Sequence, residues 1–262
     1  SDRNGIGSNT VTDSRYALHL MTANGNRIVN NTFHDNLAGA VLMFSRDLIV
    51  KDNEFSSNRQ GATGAGMLLK DVDNIFVEGN KFVRNKYGMT VDGTPQERGA
   101  TAVFVRNLFA LNDTGVGAMS NAPITFVENA MIENTVQVKA LGGNLGSQVH
   151  GDHGSGGGAQ PSGQAPAAPK NAVWATEGRG NYWSDYNGYD ANGDGVGDRP
   201  YEPQPPFAGG LAGNDTLRVF QFTLAQQAID TAADMFPIYL YEPVIADPGP
   251  LNLDEARMMA YH

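Results

Sequence analysis

The sequence predicts an all-β chain wound as a right-handed parallel β-helix, with a C-terminal cap, a short helix and an extended arm. Three observations predict it. Asparagine followed two residues later by an apolar side chain recurs at Asn9, Asn31, Asn53, Asn80, Asn107 and Asn129, at spacings of 22, 22, 27, 27 and 22 residues. Between those asparagines lie short apolar stretches with period 2, and no helical period runs across the first half. Glycine is enriched, with 32 residues in 262, and 17 of the 24 asparagines precede residue 142.

Each repeat carries two apolar stretches separated by Gly, Asn, Asp and Ser turns. One precedes the asparagine, as in Leu48-Ile49-Val50 and Ile75-Phe76-Val77. The other follows it, as in Ala40-Val41-Leu42-Met43 and Gly66-Met67-Leu68-Leu69. A unit of this length built from strands and turns is one rung of a solenoid, stacking about 4.8 Å from the next. Asparagine fits the turn because it tolerates left-handed backbone angles. Stacked rung on rung, Asn9, Asn31, Asn53, Asn80, Asn107 and Asn129 form a structural ladder of amides, each bond contributing about 1 kcal/mol. A second asparagine follows five residues later at Asn36, Asn58, Asn85, Asn112 and Asn134, with Ser14 in the first copy. The two longer repeats place loops at 60–65 and 93–99, and insertions of this kind mark binding faces. Met67 and Met89 align with Leu18 and Val41 and read as inward core positions, while His19 and His34 read as turn or surface residues. Asn9 already lies within a rung, so further rungs are expected ahead of Ser1.

The chain reads as four regions. Residues 1–141 are the rungs, expected to be the C-terminal part of a longer solenoid. Residues 142–170 are a Gly/Ala/Pro-rich flexible insertion. It holds His150 and His153, a close histidine pair beside Asp152 that can bind copper or zinc. Residues 171–214 are an aromatic and Asp-rich cap, in which Tyr182, Trp183, Tyr186 and Tyr189 cover the final rung. Asp190, Asn192, Asp194, Val196 and Asp198 occupy loop positions 1, 3, 5, 7 and 9 of a calcium-like loop, with Gly195 at position 6. Position 12 is Tyr201 where a glutamate is usual, and a metal-free Asx-rich turn is the alternative. Residues 215–262 are a helix, with apolar residues at helical spacing from Leu217 to Ala232 before Pro237, and a proline-rich tail for docking a partner.

Composition removes several classes of function. A net charge of −10 gives no bulk attraction for nucleic acid. The absence of cysteine excludes disulfides, thiolate catalysis and cysteine-held metals. No run approaches the ~20 apolar residues of a membrane span, and any export leader is expected to have been removed. Solenoid enzymes acting on polysaccharides need clustered acids, but the repeat strands offer Lys51, Lys70, Glu78, Arg84 and Glu128 with no acidic column. A non-enzymatic chain is therefore expected, with a calcium-bound polysaccharide-binding or polysaccharide-cleaving solenoid as the alternative.

The Asn-x-Phe repeats, the block Gly180-Asn181-Tyr182-Trp183-Ser184-Asp185-Tyr186, and the run from Gly188-Tyr189-Asp190 through Gly193-Asp194-Gly195-Val196-Gly197-Asp198-Arg199-Pro200-Tyr201 resemble the NosD family. The repeats are shared by many carbohydrate-binding and sugar-hydrolase solenoids; the aromatic–aspartate block is far more specific. The resemblance implies a periplasmic protein needed for copper-site assembly in nitrous oxide reductase, partnered with the ABC transporter NosF/NosY, which would hold the ATPase. It implies receipt of Cu(I) from NosL and delivery to the reductase NosZ. A Cu(I) relay needs exposed Met or His, and the candidates are His150, His153, Met258, Met259 and His262.

Overall fold

The structure is a computed structural model that describes residues 1–61, 64–118, 123–141, 171–203 and 245–252. The chain divides into two compact units, one comprising residues 1–201 with 244–262 and the other residues 202–243. The first unit holds every strand of the solenoid.

Each rung contributes three strands, one to each of three parallel sheets. The first rung is β1 (Gly5–Gly7), β2 (Thr10–Thr12) and β3 (Tyr16–Met21); the second is β4 (Arg27–Val29), β5 (Thr32–His34) and β6 (Ala38–Met43). The third is β7 (Arg46–Lys51), β8 (Glu54–Ser56) and β9 (Ala65–Lys70), and the fourth β10 (Asp73–Glu78), β11 (Lys81–Val83) and β12 (Tyr87–Asp92). The fifth is β13 (Ala102–Val105), β14 (Leu108–Ala110) and β15 (Thr114–Ala118), and the sixth β16 (Thr125–Val127), β17 (Ala130–Ile132) and β18 (Val136–Ala140). A last short strand, β19 (Tyr182–Trp183), adds to the second sheet beside β17. Strands stack in chain order, so the fold is a right-handed parallel β-helix. Among the described residues there is no helix, and none long and apolar enough to cross a membrane.

The sequence shows two stretches per repeat; the structure has three. The missed one is the Asn-x-Phe segment, a three-residue strand too short to display an alternation of its own. Its central residue points inward, building the file Val11, Phe33, Phe55, Phe82, Phe109, Met131 and Trp183. Phe55, Phe82 and Phe109 stack at centroid distances of 4.9 and 4.7 Å. Burying each such ring contributes roughly 2–3 kcal/mol. The file fits only because Gly39, Gly66, Gly88 and Gly115 run beside it: a Cβ on Gly66 would lie 2.6 Å from the Gly88 carbonyl oxygen and 3.0 Å from Phe82. The first sheet supplies Ile28, Val50, Val77, Phe104 and Phe126, and the third Ala40, Met67, Met89, Val116 and Val138.

Two expectations change here. Met67 and Met89 are inward and fully buried, in register with Leu18 and Ala40, but Val41 is not in their file. It faces outward with His19, Leu68 and Thr90, because side chains alternate and the neighbouring rungs set the register. Nor do the ladder asparagines take left-handed angles. The residue just ahead of each does, as at Asn30, Asp52, Gly79, Arg106 and Glu128, with φ between 53° and 66°. That leaves the asparagine itself free to turn its amide along the stack.

Candidate functional site at the capped end of the stack

The asparagine ladder is a polar wire with one direction. The backbone N–H and the side-chain Nδ2 of Asn31 both donate to Oδ1 of Asn53, at 2.9 Å each. The same pair of bonds runs from Asn9 to Asn31, Asn53 to Asn80, Asn80 to Asn107 and Asn107 to Asn129, all within 2.9–3.0 Å. The remaining amide hydrogen of each interior residue goes to backbone carbonyls, as Asn80 Nδ2 does to Val50 at 2.9 Å and Glu78 at 3.0 Å. Every polar atom of these buried amides is therefore used. The second file runs likewise from Ser14 through Asn36, Asn58, Asn85, Asn112 and Asn134.

Both files end in the cap. Asn129 donates to Asn181, a seventh member that sequence reading assigned to the cap block alone. The signal was present: Asn181 is followed two residues later by Trp183, but 52 residues separate it from Asn129 and hide the period. Asn181 in turn donates its N–H (2.7 Å) and Nδ2 (3.2 Å) to the carboxylate of Asp247, which also accepts from Trp183 Nε1 at 2.8 Å and Gly249 N–H at 3.0 Å. Asp247 is fully buried, and burial pushes its carboxyl above the ordinary range while the donors from Trp183, Asn181 and Gly249 pull it part of the way back. Gly180 is glycine because any Cβ there would overlap that carboxylate. Asp247 has no signature in the sequence.

The second file passes from Asn134 to Gln137 (2.9 Å), and Gln137 Nε2 donates to Asp185 at 3.1 Å. The Tyr201 hydroxyl donates to the same carboxylate at 3.0 Å, and its burial, followed by the Asp185 charge, pushes the phenol far up. Trp183 stacks on Tyr201 at 4.3 Å and meets Trp174 at 6.1 Å, closing the aromatic file. Tyr186 donates to the Arg199 carbonyl at 2.7 Å, and Gly188 and Gly197 leave the space its hydroxyl occupies.

The calcium-like loop is brought together as one turn whose oxygens face its own chain. Asp190 accepts from the N–H groups of Gly193 (2.7 Å), Gly195 (2.9 Å) and Asp194 (3.2 Å), and from Asn252 Nδ2 at 3.1 Å. Desolvation alone would raise its carboxyl, but those donors outweigh it and hold it below the ordinary range. Asp194 accepts from Val196 N–H and Asn192 Nδ2, and Asp198 from Ala191 N–H. Among the described residues no three His, Asp or Glu side chains are grouped to hold a metal, so calcium gains no support from this loop. The copper candidates His150, His153, Met258, Met259 and His262 lie outside the described residues, as does the helix expected before Pro237.

Along the stack, charges pair between rungs. Glu78 joins Lys51 at 2.9 Å and also Arg106; Lys70 joins Asp92 at 2.8 Å; Arg59 joins Asp113 at 2.7 Å. Lys51, first among the causes, holds the Glu78 carboxyl below its ordinary value. These side chains are committed to one another, and no acidic column faces solvent among them.

Comparison with known proteins matches residues 1–188 to the family described as periplasmic copper-binding protein (NosD). A stretch of 36 residues is 58% identical to the "Probable ABC transporter binding protein NosD" of Stutzerimonas stutzeri, and 56% identical to the protein of the same name from Pseudomonas aeruginosa. In each case the match covers 14% of this chain and spans 8% of the length of the relative. The family match takes in all six rungs together with the Asn181–Trp183 segment that receives both the amide ladder and the aromatic file. On that coverage the chain belongs to the NosD family of periplasmic copper-binding proteins.

Proposed function

We propose that this chain is a periplasmic accessory protein for copper-site assembly in nitrous oxide reductase, binding Cu(I) in transit and docking on the ABC transporter NosF/NosY. The observation that carries the reading is the family match over residues 1–188, whose description names both the periplasm and copper. The name shared by the two relatives, an ABC transporter binding protein, supports the transporter partnership. On this reading copper is cargo. It arrives from NosL and leaves for NosZ, while ATP hydrolysis belongs to the transporter.

The physics of the stack suits such a role. Backbone ladders, filled amide files and packed aromatic rings make a stiff body, with rigid outer faces for partners. The chain is negatively charged overall, which favours an incoming cation. The test is anaerobic: purified full-length chain is mixed with Cu(I)-loaded NosL, with NosF/NosY in detergent, and with copper-free NosZ. Copper transfer from NosL and co-elution with the transporter are expected. Retention of all copper by NosL, with no complex formed, would overturn the proposal.

A further inference from the structure

We propose that His19, Met21 and Met43, on the outer face of the third sheet, form a Cu(I)-binding site. The inference rests on the copper-handling reading above and gives it a place on the molecule. Along β3, Leu18 and Leu20 pack against the core, so His19 and Met21 project to the opposite side. Parallel pairing sets Met21 directly beside Met43 of β6, and His19 beside Val41. Met43 shares the outward side of its strand with Val41, since Ala40 and Leu42 point into the core.

Geometry and chemistry then agree. Registered neighbours on adjacent strands lie about 4.8 Å apart, and residues two apart on one strand about 6.6 Å. Two thioether side chains with three rotatable bonds each can close on an ion between them, and an imidazole two residues away can complete a three-ligand set. Neutral sulfur and nitrogen donors without carboxylate select a soft monovalent ion over calcium, magnesium or manganese. The Tyr16 ring meets His19 edge-on at 5.3 Å and steadies the imidazole. The next residue in the Met21–Met43 file is Lys70, whose ammonium is held by Asp92 at 2.8 Å and lies 4.0 Å from Asp71, so its charge is compensated. Met21 is 50% exposed and Met43 only 5%, giving the site one ligand open to an arriving ion and one fixed in an apolar patch with Val41 and Leu68. Met67, Met89 and Met131 are fully buried in the interior and cannot serve.

The test uses the full-length chain under anaerobic conditions, titrated with Cu(I) against a competing chelator. Wild type is expected to hold an equivalent of copper that the Met21→Leu, Met43→Leu double variant binds at least about tenfold more weakly, a change of ~1.4 kcal/mol. Leucine keeps the volume, so the variant should fold. Independently of any variant, 13C-methyl spectra of wild type with Ag(I), a redox-inert stand-in, should shift Met21 and Met43 but not Met67 and Met89. Unmoved Met21 and Met43 methyls, or unchanged affinity in the double variant, would overturn this site while leaving the copper-handling role standing. Failure of the wild type to bind Cu(I) at all would overturn both.

Discussion

Replacing Asp247 by alanine removes one carboxylate that four donors share in a fully buried place: Asn181 N–H, Asn181 Nδ2, Trp183 Nε1 and Gly249 N–H. Each lost bond is worth about 1 kcal/mol net, and an orphaned buried donor up to about 3, so the change should destabilise by about 4 kcal/mol. For a folded unit of this size that lowers Tm by roughly 8–16 °C. Asp247→Asn keeps an oxygen toward Asn181 and Trp183 but sets an amide against Gly249 N–H, and should cost about 1–2 kcal/mol. The assay is urea and thermal unfolding, with hydrogen exchange of the Trp183 indole N–H as a local probe. In the alanine variant that proton should exchange much faster. A Tm change under about 3 °C, with indole protection as in wild type, would refute the claim that Asp247 anchors the cap. The pH dependence has a definite sign: the carboxyl is raised above 3.8 by burial, so its ionisation weakens the fold as pH rises through the folded value, and Asp247→Asn should flatten that slope.

Asn80→Ala deletes bonds to Asn107, Val50 and Glu78 and orphans the donors of Asn53; a loss of about 3–4 kcal/mol in urea unfolding is expected, against nearly nothing for an exposed residue such as Lys81→Ala. Gly88→Ala would drive a methyl to 2.5 Å from the Gly115 carbonyl oxygen and 2.9 Å from Phe109, and should destabilise by at least about 2 kcal/mol by the same measurement. Asp190→Ala should lower Tm equally in calcium and in chelator, because its oxygens serve the chain's own N–H groups; a loss seen only with calcium present would restore the metal reading. The Glu78 carboxyl is held below 4.5 by Lys51, so its contribution is present above that pH and lost as pH falls through the folded value; Glu78→Gln should remove this part of the acid sensitivity, read as Tm against pH.

The asparagine period made the rungs legible because each rung must repeat the same contacts with its neighbour, and an error in one place unpairs two amides. Residues whose partners are themselves one rung away could be read in this way, and Asn31, Asn53, Asn80, Asn107 and Asn129 all qualify. Legibility ended where partners are distant and unrepeated. Asn181 follows the rule but stands 52 residues from its neighbour, and Asp247 lies 66 residues beyond Asn181 in a segment with no periodicity. Val41 was misplaced because both faces of β6 are buried, so an all-apolar strand carries no alternation to show which side is inward. The methionines Met21, Met43, Met67 and Met89 recur at about rung spacing, which offers soft ligands or core packing alike, and the strand alternation divides them, with Met67 and Met89 inside and Met21 and Met43 outside. Spacing shows that Met21 and Met43 stand one rung apart, but that they face outward together with His19 follows from the alternation along β3 and β6, which an all-apolar strand does not display.

The direction of the amide ladder explains why the cap is made as it is. Each asparagine donates to the one after it, so the file presents donors at its C-terminal end, and something there must accept. Asp247 accepts from one file; Gln137, backed by Asp185, accepts from the other. A carboxyl group suits that place because its two oxygens have lone pairs enough for all four donors, and those donors offset part of the cost of burying its charge. Gly180, Asn181 and Trp183 are then the residues that make room for and bond to Asp247, while Gly188, Gly197 and Tyr186 fit one another. The block that most distinguishes this sequence is accordingly occupied in closing the stack. With the interior filled by rings, aliphatic side chains and saturated amides, the proposed copper-handling role falls to outward-facing residues. The Met21–Met43 file is where the described part of the chain places soft donors on such a face.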